Sequence, residues 1–336
     1  MTRILITGVA GFIGFHLARY LLMQGLFVIG VDSLTHYYDT ALKKSRLALL
    51  QHFPNFCFEN LNIADAAGMA RLVENHRFDS VINLAGQAGV RYSLENPHAY
   101  VESNVTGFIN VLEACRHAKV KHLIFASSSS VYGANDKLPF SEHDSVDHPV
   151  SLYAATKRSN ELLAHSYAHT FGLPVTGLRF FSVYGPWGRP DMAYYAFTRA
   201  IVEGTPIDLY NYGHHKRDMT YVDDVVQAIA LLLNVVPTVQ PMLNDQNLHP
   251  ANSFAPFRLF NVGNRSPVEV GYMVEVLEGA LQRKAIVHYS PMQPGDVLDT
   301  FADTTSLSEM IGFEPCTTVE DGLGRFVHWY REYHHV

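Results

Sequence analysis

A short apolar run, Arg3-Ile4-Leu5-Ile6-Thr7, passes directly into Gly8-Val9-Ala10-Gly11-Phe12-Ile13-Gly14, and an apolar helical pattern follows. No other stretch of the sequence restricts the fold as much. A strand that turns on three glycines into a helix opens a strand–helix–strand unit. Gly8 suits the tight turn, Gly11 lets the backbone approach a pyrophosphate, and Gly14 lets the helix lie close on the strand. The helix start at Phe12 and Ile13 adds unpaired N–H groups and the positive end of the helix dipole. The second strand ends at Asp32, 18 residues beyond Gly14. An acid there suits the ribose hydroxyls and repels a 2′-phosphate, which favours NAD over NADP. Lys43, Lys44 and Arg46 lie close behind and speak against that preference; the competing reading of them is a solvated helix face.

The same rhythm continues. Residues 3–7, 27–31, 81–84, 122–126 and 175–179 read as strands, apolar on both parities as in a parallel sheet covered on both faces. Residues 12–24, 66–76, 97–117 and 151–171 read as helices between them. The expectation is an α/β fold: a doubly wound parallel Rossmann sheet with a smaller C-terminal α/β substrate lobe. The first domain is expected over 1–180 and the second over 181–336. The chain is expected to return to the first sheet near 220–234 and 259–262. Pro186, Gly188 and Pro190 mark the change of rhythm, and the Pro- and Asn-rich stretch 237–256 reads as a long loop.

Charge narrows the function classes. Twenty-five Lys and Arg stand against 32 Asp and Glu, a net charge of −7. Such a chain has no bulk field for nucleic acid or an anionic membrane. The apolar strand begins at residue 3, leaving no room for a signal peptide, and the longest apolar stretch is well short of the ~20 residues that span a bilayer. Cys57, Cys115 and Cys316 form no CxxC and no disulfide framework, and the 18 histidines show no ligand spacing. The reading is a cytoplasmic protein without a metal.

A second motif carries chemistry. The fifth strand ends in Ala126-Ser127-Ser128-Ser129-Ser130-Val131-Tyr132-Gly133, and Tyr153-Ala154-Ala155-Thr156-Lys157 lies on the helix beyond. Strand ends at this edge face the ligand crevice. Residues i and i+4 share a helix face, so the Lys157 ammonium can sit near the Tyr153 hydroxyl. A neighbouring cation lowers a phenol's pKa, and a phenolate can take a proton from a sugar hydroxyl while hydride leaves the same carbon. One of the serines can bridge tyrosine and substrate.

Gly8, Gly11, Gly14, Asp32, Leu84-Ala85, Ser128, Tyr132-Gly133, Tyr153 and Lys157 together resemble an extended short-chain dehydrogenase/reductase acting on a nucleotide sugar. Longer motifs are similar to the UDP-glucuronate 4-epimerases. They are Gln87-Ala88-Gly89-Val90-Arg91-Tyr92-Ser93, the run from Leu178 through Ser182 and Gly185-Pro186-Trp187-Gly188-Arg189-Pro190-Asp191-Met192, Lys216-Arg217-Asp218, and Met292-Gln293-Pro294-Gly295-Asp296-Val297. The resemblance implies Tyr153 as base, Lys157 as its partner and Ser128 as the bridging hydroxyl, with Ser127 and Ser129 as alternatives. It implies Arg217 on the UDP pyrophosphate, Asp296 on the uridine ribose, and Ser182 and Arg91 on the substrate. Asn62, Ile63 and Asn104 fall on the cofactor side. Asn62 departs from the family's more usual Asp, Ser33 from Asn, Asn83 from His, and Gln293 from the Arg of galactose-type epimerases. A homodimer through helices 97–117 and 151–171 is also implied.

Oxidation of a glucuronate at C4 makes a β-keto acid that readily loses CO₂, so an epimerase must fix the carboxylate by multi-point donors. Arg189 is a candidate, with Arg91 second; the competing reading pairs Arg189 with Asp191. Decarboxylases and 4,6-dehydratases carry a Glu two residues before the equivalent of Tyr132; here that position is Ser130. The expected function is reversible C4 epimerisation of UDP-glucuronate to UDP-galacturonate with tightly bound NAD⁺. The rivals are a UDP-glucose/UDP-galactose epimerase, a UDP-glucuronate decarboxylase and a non-catalytic nucleotide-sugar or NAD sensor.

Overall fold

The computed structural model describes residues 2–240, 248–292 and 299–336. Among these the strands are β1 (Arg3–Thr7), β2 (Phe27–Asp32), β3 (Phe56–Asn60), β4 (Ser80–Asn83), β5 (His122–Ser128), β6 (Val175–Phe180), β7 (Ser182–Tyr184), β8 (Pro206–Tyr210), β9 (Lys216–Tyr221), β10 (Phe257–Val262), β11 (Pro267–Glu269) and β12 (Ile286–Ser290). The chain divides into two compact units. The first comprises Met1–Asp136, Ser141–Phe180 and Val226–Asn261; the second comprises Lys137–Phe140, Phe181–Val225 and Val262–Val336.

The first unit is built on a seven-stranded sheet in the order β10-β6-β5-β4-β1-β2-β3. The pairs from β6 through β3 are parallel, with Leu5 facing Ile29 on one side and Val81 on the other. The expected doubly wound sheet is therefore present. Its strands are buried on both faces because helices cover both sides, which is why they are apolar on both parities. One core layer joins Leu5, Ile29, Val81, Leu123 and Phe125 to Phe108, Val111 and Leu112. The strand order reverses between β1 and β4, and ligands bind outside the carboxyl ends at such a point. Gly8, Ala85 and Ser128 all lie at those ends.

Three features differ from the sequence reading. The edge strand β3 had no clear signature because it carries polar residues and is only half-buried, and the helix Thr40–Leu50 was visible only as the face carrying Lys43, Lys44 and Arg46. Lys43 and Arg46 are buried rather than solvated. Arg46 Nη1 donates to Ala10 O at 2.8 Å and to the Tyr38 hydroxyl at 2.8 Å, and Lys43 Nζ donates to Thr35 O at 3.0 Å. Their charge is turned inward because loop carbonyls there need donors. The expected single helix over 97–117 is interrupted: Pro97–Tyr100 leads into a π-helical turn, Val101–Thr106, before Gly107–Ala118 resumes. Such turns occur often at functional sites, and this one carries Asn104.

The helix Leu152–Phe171 is sharply bounded. The Ser151 hydroxyl accepts from Ala154 N at 3.1 Å, and Gly172 ends the helix in the left-handed conformation. Its inner face is polar where a core helix would be apolar: Thr156, Lys157, Asn160 and Glu161 are all buried. Buried polar groups must be paired, so this face forces a network onto whatever it covers.

The second unit has a three-stranded sheet, β11-β9-β7, and a two-stranded one, β12-β8. Its core is aromatic. Phe326 meets Tyr194 edge-on at 4.8 Å, and Trp187 packs on Trp329 and Tyr333, each at 5.2 Å. Buried Asp218 ties β9 to two loops, accepting from Asn264 N at 2.6 Å and Ala302 N at 2.9 Å. Among the described residues no helix is long and apolar enough to cross a membrane.

Candidate active site

The glycine turn is tied to its neighbours by backbone groups. Gly8 N donates to Val31 O at 2.7 Å and Gly11 N to Gly8 O at 2.9 Å. Gly8 has φ +73°, and a Cβ there would stand 2.7 Å from Ala85 N. A Cβ on Gly14 would stand 2.1 Å from Gly8 O, so only glycine lets the helix start this close to the strand. Asp32 accepts from Ala10 N at 3.1 Å and from Leu34 N at 2.8 Å. Thr7 completes the join: its hydroxyl donates to Asn83 Oδ1 at 2.6 Å and accepts from Ala85 N at 3.2 Å. Phe12 is buried and Ile13 half-buried behind the turn. Leu84 and Ala85 follow β4 directly.

Asn104 links this edge to the helix Leu152–Phe171. Its side chain accepts from Gln87 N at 2.7 Å and donates to Gln87 O at 3.0 Å and to Thr156 Oγ1 at 3.0 Å. A Cβ on Gly86 would lie 2.9 Å from Asn104 Oδ1 and 3.3 Å from Lys157 Nζ. Thus Gly86, Asn104 and Lys157 converge at the carboxyl end of β4. Lys157 Nζ also donates to Ala126 O of β5 at 3.0 Å. Burial pushes the Lys157 ammonium down to about 8. Tyr153 is half-buried one turn before it, its ring edge-on to that of Tyr100 at 6.1 Å.

The structure separates the three serines. Ser127 is buried and donates to Glu161 Oε1 at 2.7 Å. Ser128 donates to Ser130 Oγ at 3.1 Å and caps the short turn Ser129–Tyr132. Ser129 is half-buried within that turn. Ser127 thus faces the network behind the strand, whereas Ser128 stands at the strand's last position.

That network was not foreseen. Arg179 and Glu161, both fully buried, form a two-point ion pair: Nε to Oε1 at 2.8 Å and Nη2 to Oε2 at 3.0 Å. Arg158 adds a third donor to Glu161 at 3.1 Å. Burial by itself raises the Glu161 carboxyl, but the charge of Arg179 and hydrogen bonds from Arg179 and Ser127 outweigh it and hold the carboxyl below its ordinary value. Arg179 Nη1 reaches the Tyr132 hydroxyl at 3.1 Å, and that hydroxyl donates to Asn261 Oδ1 at 2.6 Å. Removing one partner of such a pair costs roughly 3–5 kcal/mol. Two signals pointed to it: an arginine inside a strand apolar on both faces, and a glutamate four residues beyond Lys157.

The remaining expected residues fall on other elements. Asn62 is exposed and accepts from Ala64 N at 3.0 Å, while Ile63 beside it is buried. Arg91 is exposed at the start of the short helix Tyr92–Glu95. In the second unit, Ser182 begins β7 and is half-buried. Arg217 lies on β9 and donates to Lys216 O at 2.9 Å. Arg189 bonds Asp191 through Nε at 3.0 Å, the pairing weighed against its carboxylate role. Asp296 lies outside the described residues. One group of metal-ligating side chains comes together among those described: Cys57, Glu59 and His76. His76 Nε2 and Glu59 Oε1 are 3.0 Å apart, and burial and Glu59 push the Cys57 thiol up, so the cluster offers no ready thiolate.

The NAD dependent epimerase/dehydratase family model matches residues 4–242. A probable UDP-glucuronate 4-epimerase of Rhizobium meliloti is 50% identical over 329 residues, covering 98% of this chain and 96% of its own. The crystal structure of a Bacillus cereus UDP-glucuronic acid 4-epimerase with UDP-glucuronic acid and NAD superposes with a TM-score of 0.85 at 29% identity, covering 99% of this chain and 100% of that one. A Thermotoga maritima UDP-glucose 4-epimerase with UDP-glucose gives a TM-score of 0.85 at 30% identity, covering 99% of each chain.

Proposed function

The chain belongs to the NAD dependent epimerase/dehydratase family, and we propose that it is a cytosolic enzyme interconverting UDP-glucuronate and UDP-galacturonate by inverting C4. The observation that carries the reading is the polar inner face of Leu152–Phe171, which sets Tyr153 one turn from buried Lys157 beside the end of β5. The substrate choice is supported by the relatives named as UDP-glucuronate 4-epimerases.

The residues present fit NAD. The helix Phe12–Met23 starts at Gly11 with no side chain capping its N–H groups, the turn leaves no room for a Cβ at Gly14, and Asp32 stands at the end of β2. Gly8, Gly11, Gly14 and Asp32 would hold the dinucleotide, which supplies the hydride acceptor and donor. Tyr153 takes the O4 proton as the 4-keto sugar forms and returns it after the sugar has turned over. Lys157 keeps a positive charge near the phenol and favours its ionised form. Ser128 bridges phenol and sugar hydroxyl. Arg217 holds the UDP pyrophosphate. Arg189, held beside Asp191, and Ser129 are candidates for the sugar carboxylate, with Arg91 second. Ser129 and Ser130 leave no carboxylate there to draw a C5 proton.

Purified protein mixed with UDP-glucuronate is expected to give UDP-galacturonate, followed by NMR, with no net accumulation of NADH. UDP-xylose as product would make it a decarboxylase. Turnover of UDP-glucose alone would make it a neutral-sugar epimerase, and unchanged substrates would leave a sensor.

A homodimer is part of the same proposal. Val101 and Leu162 expose apolar side chains on the two helical segments expected to form its interface. Sedimentation velocity is expected to give twice the 37.6 kDa chain mass; the mass of a single chain would set the dimer aside.

A further inference from the structure

We propose that Glu161 is a positioning residue for this reaction, fixing Ser128 relative to Tyr153 through Ser127 and Arg179; the inference rests on the epimerase reading. Glu161 follows Tyr153 and Lys157 at successive four-residue steps, so all three share one helix face. Two of them grip β5 at consecutive residues. Lys157 holds Ala126 O at 3.0 Å, and Glu161 holds the Ser127 hydroxyl at 2.7 Å. Ser128 is the next residue along.

Arg179 extends the hold to the far side of Ser128. Its guanidinium spends Nε and Nη2 on Glu161 and Nη1 on the Tyr132 hydroxyl, and lies 4.9 Å over the Tyr132 ring. Tyr132 closes the short turn that begins at Ser129. The segment carrying Ser128 is thereby fastened at Ser127 by Glu161 and at Tyr132 by Arg179. The two fasteners are one fully buried ion pair. Tyr153 reads its own position from the same helix as Glu161. The placement of the Ser128 hydroxyl relative to Tyr153 thus depends on a tie made by two fully buried side chains. A reacting hydroxyl displaced by an ångström loses rate far more than binding.

The test compares Glu161→Asp, which keeps the charge and shortens the reach, with Glu161→Gln, which keeps the reach and removes the charge. Ser127→Ala cuts only the strand-side tie and leaves Arg179 paired, so it serves if either Glu161 variant fails to fold. Turnover is referred to NAD-loaded protein, which removes any fraction lost to misfolding. The expected result is a kcat about thirtyfold lower in the Glu161 variants and about tenfold lower in Ser127→Ala, with KM for UDP-glucuronate within about threefold of wild type. Ser127→Ala with unchanged kcat overturns the proposal. So does a raised KM at unchanged kcat, which would make Ser127 a substrate contact. Wild type is measured first: no epimerisation there fails the function and this inference together, whereas an active wild type with unaffected variants fails this inference alone.

Discussion

With Tyr153 replaced by phenylalanine, turnover of UDP-glucuronate is expected to fall by about a thousandfold, the scale at which a positioned general base contributes. The ring would keep its place. Its edge-on contact with Tyr100 at 6.1 Å involves no hydroxyl, and the helix is held by Ser151, Lys157 and Glu161. Binding of UDP and NAD⁺ should therefore survive, and calorimetry with each ligand would check that the loss lies in the chemical step. A variant that epimerises UDP-glucuronate at near wild-type rate would remove Tyr153 from the mechanism.

Lys157→Met is expected to cost about a hundredfold in kcat, and the pH profile should explain why. The Lys157 ammonium is held down to about 8 by burial. As pH rises through about 8 the group loses its proton, the cation beside the phenol disappears, and the ionised phenol loses its support. Wild-type kcat should therefore decline on the alkaline side from about pH 8. Methionine has no proton to lose, so the variant should be slow throughout and lack that decline. A wild-type kcat level to pH 10, or an identical alkaline limb in Lys157→Met, would exclude Lys157 as the titrating group.

Much of this was legible because the relevant signals are local. A turn that tolerates no Cβ at Gly14 announces itself in three glycines, and an i, i+4 pair announces a shared helix face. The parallel sheet was legible because strands covered on both faces are apolar throughout. What escaped were features settled by partners distant in sequence. Glu161 meets Arg179, Ser127 and Arg158 only once β5, β6 and the helix are assembled. Asn104 is named by the resemblance alone, and its contacts with Gln87 and Thr156 emerge only with the π turn that carries it. Lys43 and Arg46 read as solvated because the groups that claim them, Thr35 O, Ala10 O and the Tyr38 hydroxyl, come within reach only once the chain is folded. β3 was lost for the opposite reason: at the sheet edge, half-buried side chains leave little pattern to detect.

The neighbourhood of Asp32 bears on any attempt to retool coenzyme preference. Acceptance of a phosphorylated adenosine ribose would ordinarily begin by neutralising that acid and recruiting a nearby cation. Here the acid is also a strut, taking N–H groups from Ala10 in the glycine turn and from Leu34 beyond β2. One candidate cation, Arg46, is fully buried and committed to Ala10 O and the Tyr38 hydroxyl. A redesign would have to rebuild the loop's scaffolding before it could rewrite its selectivity, so discrimination and architecture here are one property that engineers cannot adjust separately.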